Sequence, residues 1–167
     1  MKTKAPLYRK VNTTARGVHH RFGSDFRHSR LQVNKGDLAT EAVPMTQGVR
    51  RGLDYTPLFR FLLSRVGQAW DTVFSEAVAR LDRKEPIFWM VSLRRSDAQD
   101  CIRTGEASYF SGLWVDDAGV LQLVNPSMNA SSLAPFCACC THTFNGHPFT
   151  QRFDLEQRPD RSLTRQL

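Results

Sequence analysis

Trp70-Asp71-Thr72-Val73-Phe74-Ser75-Glu76-Ala77-Val78-Ala79-Arg80-Leu81 is the stretch that decides the fold. Trp70, Val73, Phe74, Ala77, Val78 and Leu81 recur at i, i+3, i+4, i+7, i+8 and i+11, one face of a 3.6-residue period, and Asp71, Glu76 and Arg80 fall opposite. That spacing predicts an amphipathic helix with one buried side. Upstream, Asp54 or Thr56 can cap a helix, and Pro57 suits the first helical position, where its missing amide hydrogen removes no bond. Leu58, Phe61 and Leu62 continue as a shorter stripe that stops near Val66-Gly67. Two helices joined through a glycine turn read as an αα-hairpin. A DNA-reading helix-turn-helix is rejected, because Asp71 and Glu76 sit near the start of the helix that would face the bases.

Pro86 ends the helical region. Ile87-Phe88-Trp89-Met90-Val91-Ser92-Leu93 is aromatic and branched, hence strand-like. Tyr109 to Val115 and Val120 to Val124 flank Asp116-Asp117-Ala118-Gly119, which reads as a hairpin with a four-residue loop. Arg94 to Glu106 is a polar connection containing Cys101, and loop chemistry runs from Asn125-Pro126 through Asn145-Gly146. The expected fold is α+β: an αα-hairpin packed on an about three-stranded antiparallel sheet. Residues 1–52 form an extended basic arm, 53–153 a compact domain and 154–167 a charged tail. The 115 residues beyond the arm suffice for one modest core.

Charge is unevenly distributed along the chain. Residues 1–52 carry eleven Lys and Arg against three acids, a net of +8, whereas residues 53–167 carry twelve bases against thirteen acids, a net of −1. Lys2, Lys4, Arg9, Lys10, Arg16, Arg21, Arg27, Arg30, Lys35, Arg50 and Arg51 interleave with Tyr8, His19, His20, Phe22, Phe26 and His28. Bases meet phosphates and release counterions, while aromatic and imidazole rings offer faces for unstacked bases. A purely solubilising tail has little use for those rings. The arm lacks the apolar density to offset its ordering entropy, so it is expected to order on a partner. An arm of mixed Arg, Lys, His and aromatic residues, with no major-groove reader beside it, favours RNA over DNA, and the lack of a strong reaction centre favours a non-enzymatic ribonucleoprotein component over an enzyme. The alternatives are a protein–protein adaptor within a larger assembly and, behind it, a small zinc-dependent nuclease. Trp70, Trp89 and Trp114, at helical and strand spacing, read as core. Arg94, Arg95 and Arg103 either extend the basic surface or lie in a solvated loop.

The longest apolar run, Ile87 to Val91, is far short of the ~20 residues of a membrane span, and no apolar stretch follows the N-terminal charges as in a secretory signal. Residues 1–24 are basic and acid-free like a mitochondrial presequence, but Pro6, Gly17 and Gly23 interrupt any amphipathic helix. A cytoplasmic protein of bacterial style is expected. Leu58 through Glu76, LFRFLLSRVGQAWDTVFSE, resembles a box in a group of small uncharacterised bacterial proteins. The likeness extends to a basic N-terminal segment and a later aromatic strand and hairpin. It implies a localisation and no activity.

Pro135-Phe136-Cys137-Ala138-Cys139-Cys140-Thr141-His142-Thr143-Phe144-Asn145-Gly146-His147 concentrates soft ligands. Cys137 and Cys140 have the two-residue gap that lets two thiolates reach one tetrahedral Zn²⁺. His147 could return beyond the Asn-Gly turn as a third ligand, with Cys139 or His142 as the fourth. A structural zinc clip would suit a loop-rich half, although a single Cys-x-x-Cys pair is less specific than two, and plain packing of buried thiols is the competing reading. Such crowded cysteines are poorly placed for disulfides to distant segments. His142, Asn145 and His147 follow the order of an HNH nuclease, but six positions of one loop cannot supply separate strands and a helix. A Cys140–His142 nucleophile pair lacks a neighbouring base to lower the thiol pKa.

Overall fold

Apolar spacing and local caps build two α-helices in the computed structural model, which describes residues 4–11, 45, 52–104 and 107–154. Helix α1, Thr56–Leu63, starts where the Asp54 carboxylate accepts from the Thr56 amide (2.9 Å) and hydroxyl (2.7 Å), with Pro57 in the first turn. Helix α2 spans Trp70–Val78, ending before the Leu81 that closes the sequence stripe. Val73 and Ala77 are buried, Trp70, Phe74 and Leu81 are partly buried, and Val78 is exposed. The α1–α2 connection is itself bonded to the following sheet: the Gly67 amide donates to Leu121 O (2.7 Å), Leu121 N to Gln68 O (3.0 Å) and Trp70 N to Gly119 O (2.8 Å).

The fold is α+β, with nine short strands among the described residues in three sheets rather than one antiparallel sheet. Strands β1 (Arg9–Lys10) and β2 (Leu53–Asp54) pair antiparallel. Strand β3 (Val91–Ser92) runs parallel to β6 (Leu113–Val115), which forms a hairpin with β7 (Leu121–Leu123). The last sheet has the order β4 (Cys101–Arg103), β5 (Ser108–Ser111), β8 (Thr143–Phe144), β9 (His147–Pro148), with β5 and β8 parallel.

Three sequence expectations are corrected. Ile87 to Leu93 is not one strand: Glu85–Trp89 is a 3₁₀ turn, and only Val91–Ser92 extends. Pro86 sets a helix-compatible φ at the start of this turn, and Ile87 N then bonds Lys84 O (3.0 Å). Tyr109 to Val115 is two strands in two sheets, broken at Gly112, where a Cβ would lie 1.7 Å from Gln99 O and 2.7 Å from Met45 Cε. Finally, the apolar core, expected within residues 53–153, also takes in two residues ahead of them. Leu7 and Met45 are buried with Leu58, Leu62, Ile87 and Leu113 in one apolar cluster. The Asp116–Gly119 hairpin is found as read. Gly119 takes a left-handed φ of 73°, and the Asp116 carboxylate accepts from Ala118 N (3.0 Å) and Val120 N (2.9 Å).

Candidate metal centre and basic segment

Strand β8 positions the cysteine loop. Its neighbour β5 holds it through Thr143 N to Ala107 O (2.8 Å) and Asn145 N to Tyr109 O (2.8 Å). The Asn145-Gly146 loop, with φ of 51° and 85°, turns the chain into β9 as a two-residue hairpin with both central residues left-handed. Asn145 is fully engaged: its side-chain oxygen accepts from Ser111 N and its amide donates to Ser111 Oγ, each at 2.9 Å. That consumes the residue an HNH arrangement would require.

The loop before β8 brings Cys137, Cys139 and Cys140 together, with their sulfurs all within 4.8 Å of one another. Cys139 Sγ and Cys140 Sγ are 3.7 Å apart. Cys137 is buried, Cys140 half-buried and Cys139 exposed, so the group opens to solvent on one side. Burial first, then the neighbouring Cys139 and Cys137 sulfurs, pushes the Cys140 thiol up to about 12, and contact with Cys137 raises Cys139 as well. Three crowded sulfurs cannot readily ionise without a cation, and a bound metal reverses that logic. The remaining cysteine, Cys101, lies on β4 outside this group, its thiol raised by burial and by Asp100.

His142 lies at the inner wall of the loop, 2 % exposed. Its Nδ1 is 3.1 Å from Cys140 O, so Nδ1 carries the proton and donates it there, leaving the Nε2 lone pair 3.9 Å from Cys137 Sγ. Burial, helped by the nearby Arg103 charge, holds His142 below the usual imidazole pKa and hence neutral. Phe136 meets the imidazole edge-on at 4.7 Å, Phe149 lies 5.6 Å away, and Arg103 stands 4.6 Å over the Phe136 ring. His147, by contrast, is exposed on β9. Among the described residues no other group of three potential ligands converges.

Of the expected nucleic-acid contacts, four are described. Lys4 Nζ donates to Glu76 Oε1 (2.9 Å), Arg9 donates to Asp54 Oδ2 (2.6 Å), Tyr8 lies half-buried against Tyr55 at 6.3 Å, and Lys10 is exposed. Glu76 also takes Arg80 (3.1 Å) and Arg65 (3.4 Å), whose guanidiniums stand 5.1 and 5.0 Å from the Phe61 ring centre. The hydrogen bond from Lys4 is the main reason the Glu76 carboxyl titrates below its ordinary value. Lys2, Arg16, His19, His20, Arg21, Phe22, Phe26, Arg27, His28, Arg30, Lys35, Arg50 and Arg51 lie outside the described residues.

The basic segment is nevertheless located at its ends. Leu7 N donates to Arg80 O (2.9 Å), and Val11 N donates to Gly52 O (3.0 Å), so Val11 and Gly52 lie side by side on the body. Between those ends Met45 is seated in the core, its amide donating to Phe88 O (2.7 Å) and its sulfur accepting from Gln99 N (3.0 Å). No sequence signal marked Leu7 or Met45, which are isolated apolar residues in a polar run. On the body, Arg95 donates to Val124 O (3.0 Å) and stands 5.1 Å over Trp114. No described helix is long and apolar enough to cross a membrane. No family model, curated protein or solved structure matches the chain.

Proposed function

We propose that this protein is a non-enzymatic, cytoplasmic component of a ribonucleoprotein and binds structured RNA through its basic N-terminal arm, residues 1–52. The observation that carries the reading is the segregation of charge: a net of +8 in residues 1–52 against −1 in the rest, with aromatic and His residues interspersed among the bases. Ion pairing of Lys4 and Arg9 with Glu76 and Asp54 assigns those two bases to holding the segment on the body. The phosphate-contacting set is therefore Arg16, Arg21, Arg27, Arg30, Lys35, Arg50 and Arg51, joined by Lys2 and Lys10. His19, His20, Phe22, Phe26 and His28 supply stacking faces. Fixing both ends of the segment lowers the entropy lost when it docks. Other proteins of the same particle are the natural additional partners. Zn²⁺ held by the cysteine loop would have a structural part here, tying down a half of the molecule that is mostly loop.

The test is titration of the full chain with a hairpin RNA across a salt series, beside a variant with Arg16, Arg21, Arg27 and Arg30 changed to Ala. Losing four phosphate contacts should flatten the log–log salt slope by roughly 3. A variant that binds with the same slope overturns the proposal. Protein that carries no nucleic acid at any salt concentration points instead to the adaptor reading.

A further inference from the structure

We propose that the cysteine loop is a closed Cys₃His metal centre in which His142 Nε2 is the fourth ligand and His147 takes no part. The inference rests on the reading that the cysteine group holds a divalent cation, and it assigns the ligand set and hence the kind of site.

Geometry argues first. A tetrahedron with metal–sulfur bonds of about 2.3 Å has edges of about 3.8 Å, and a sulfur–nitrogen edge is slightly shorter. The Cys139–Cys140 separation of 3.7 Å and the Cys137–His142 separation of 3.9 Å stand at those lengths, and all three sulfurs lie within 4.8 Å of one another; His142 is not within that distance of all three, so closing the site requires Cys139 and Cys140 to draw in towards its ring. The second pair is long for an ordinary hydrogen bond but suits two ligands of one ion. The tautomer argues next. A ligating imidazole usually donates its other N–H to a carbonyl or carboxylate, which fixes the ring and makes the lone pair more basic. His142 Nδ1 does this to Cys140 O, within the loop that carries the thiolates. Burial of His142 in an aromatic wall of Phe136 and Phe149 keeps the ring in place.

Charge completes the case. Three thiolates, a neutral imidazole and a divalent ion sum to −1, and three thiol protons leave on binding. Arg103, stacked on the Phe136 ring that touches His142, sets a positive charge beside that excess. His147 is exposed on the far strand of the hairpin, away from the buried wall that holds His142. Four protein ligands leave no open position for water, so the ion is a cross-link rather than a hydrolytic centre.

The experiment loads full-length reduced protein with Co²⁺, whose visible d–d bands report tetrahedral geometry and whose near-ultraviolet charge-transfer intensity scales with thiolate number. Wild type should take one equivalent with a three-thiolate signature. His142→Ala should weaken Co²⁺ binding by at least about tenfold, the lower end of what altering even a ligand-orienting residue does. His142→Cys, which keeps four ligands, should stay tetrahedral and gain a fourth thiolate's intensity. His147→Ala should match wild type. Equal Co²⁺ affinity in wild type and His142→Ala, or unchanged thiolate intensity in His142→Cys, overturns the fourth-ligand assignment while leaving a cysteine site standing. Wild type that binds no Co²⁺ overturns both.

Discussion

The half of the molecule around α1, α2 and the β3–β6–β7 sheet, and the half around β4, β5, β8 and β9, are held together by different means. The first supplies the largest fully buried apolar side chains, Leu58, Leu62, Ile87, Met90, Leu113 and Leu121. The second contributes Ile102, Phe110 and Phe144, but it also buries Cys137 and His142 and leaves Phe136 and Phe149 half-covered. An apolar core of the first kind is stable by area removed from water. The second buries polarisable and polar groups that need partners, which is where a metal cross-link has most to add. Gly112 is the joint between them.

The largest expected effect is therefore at that joint. Gly112→Ala places a Cβ 1.7 Å from Gln99 O and 2.9 Å from Gln99 C, both backbone atoms, so no side-chain rotation relieves the clash. The glycine's own backbone is fixed by Gly112 N to Asp100 O (2.9 Å) and Val124 N to Gly112 O (3.0 Å). A loss above about 4 kcal/mol is expected, enough to remove most of a typical domain's stability and to lower soluble yield sharply. A variant that melts within a few degrees of wild type would show that the two halves are not locked at this point.

Next in size is a pair of substitutions that sets the halves against each other. Leu62→Ala, at a fully buried site on α1, should cost about 2–5 kcal/mol in a cooperative denaturant melt. Phe149→Ala removes a ring 5.6 Å from both Tyr109 and His142 at the partly covered end of the second half. It should cost less and should act locally, raising hydrogen exchange at Thr143 N and Asn145 N while the α1 and α2 amides stay protected. Identical exchange patterns in the two variants would mean that the halves unfold as one and that the contrast is only compositional.

The same contrast governs what the sequence could show. Helical spacing is a local property, so α1 and α2 were readable from Leu58–Leu62 and Trp70–Ala77, and the Asp116–Gly119 hairpin was readable from its turn residues. The failures lie where long-range pairing overrides local pattern. Branched, aromatic Ile87 to Trp89 favours a strand, yet Pro86 sets a helix-compatible φ and the chain forms a 3₁₀ turn that buries Pro86, Ile87 and Trp89. The parallel partners of β3 and β5 lie too far along the chain for any turn signal to announce them. In the candidate site, the crowding of Cys137, Cys139 and Cys140 was visible as spacing. The proposed choice of His142 over His147 depends on burial and on one carbonyl, neither of which is written in residue order. Leu7 and Met45 were hidden for the opposite reason, as single apolar anchors inside a segment whose charge dominates its pattern.

The smallest expected effect concerns the latch that ties β1 to β2. Asp54 is buried, which alone would raise its pKa, but bonds from the Thr56 hydroxyl and amide and from Arg9 outweigh that and hold the carboxyl below its ordinary value of 3.8. A carboxyl depressed in the folded state contributes stability above its unfolded pKa and loses it as pH falls through the folded one. Asp54→Asn can keep an acceptor for Thr56 but gives up the charge that faces Arg9. Because the Arg9 side chain is largely exposed, the pair is screened, and about 1 kcal/mol at neutral pH is a fair scale for the change. Thermal melts of wild type and Asp54→Asn should differ most above pH 5 and converge below the folded pKa of Asp54. Glu76 and Asp116 also titrate low, but they are common to both proteins and drop out of the difference. A gap that stays constant down to strong acid would show that Asp54 acts through the shape of the α1 cap rather than through its charge. The N-terminal strand would then owe its place to Leu7 and its bond to Arg80 O, not to the Arg9 ion pair.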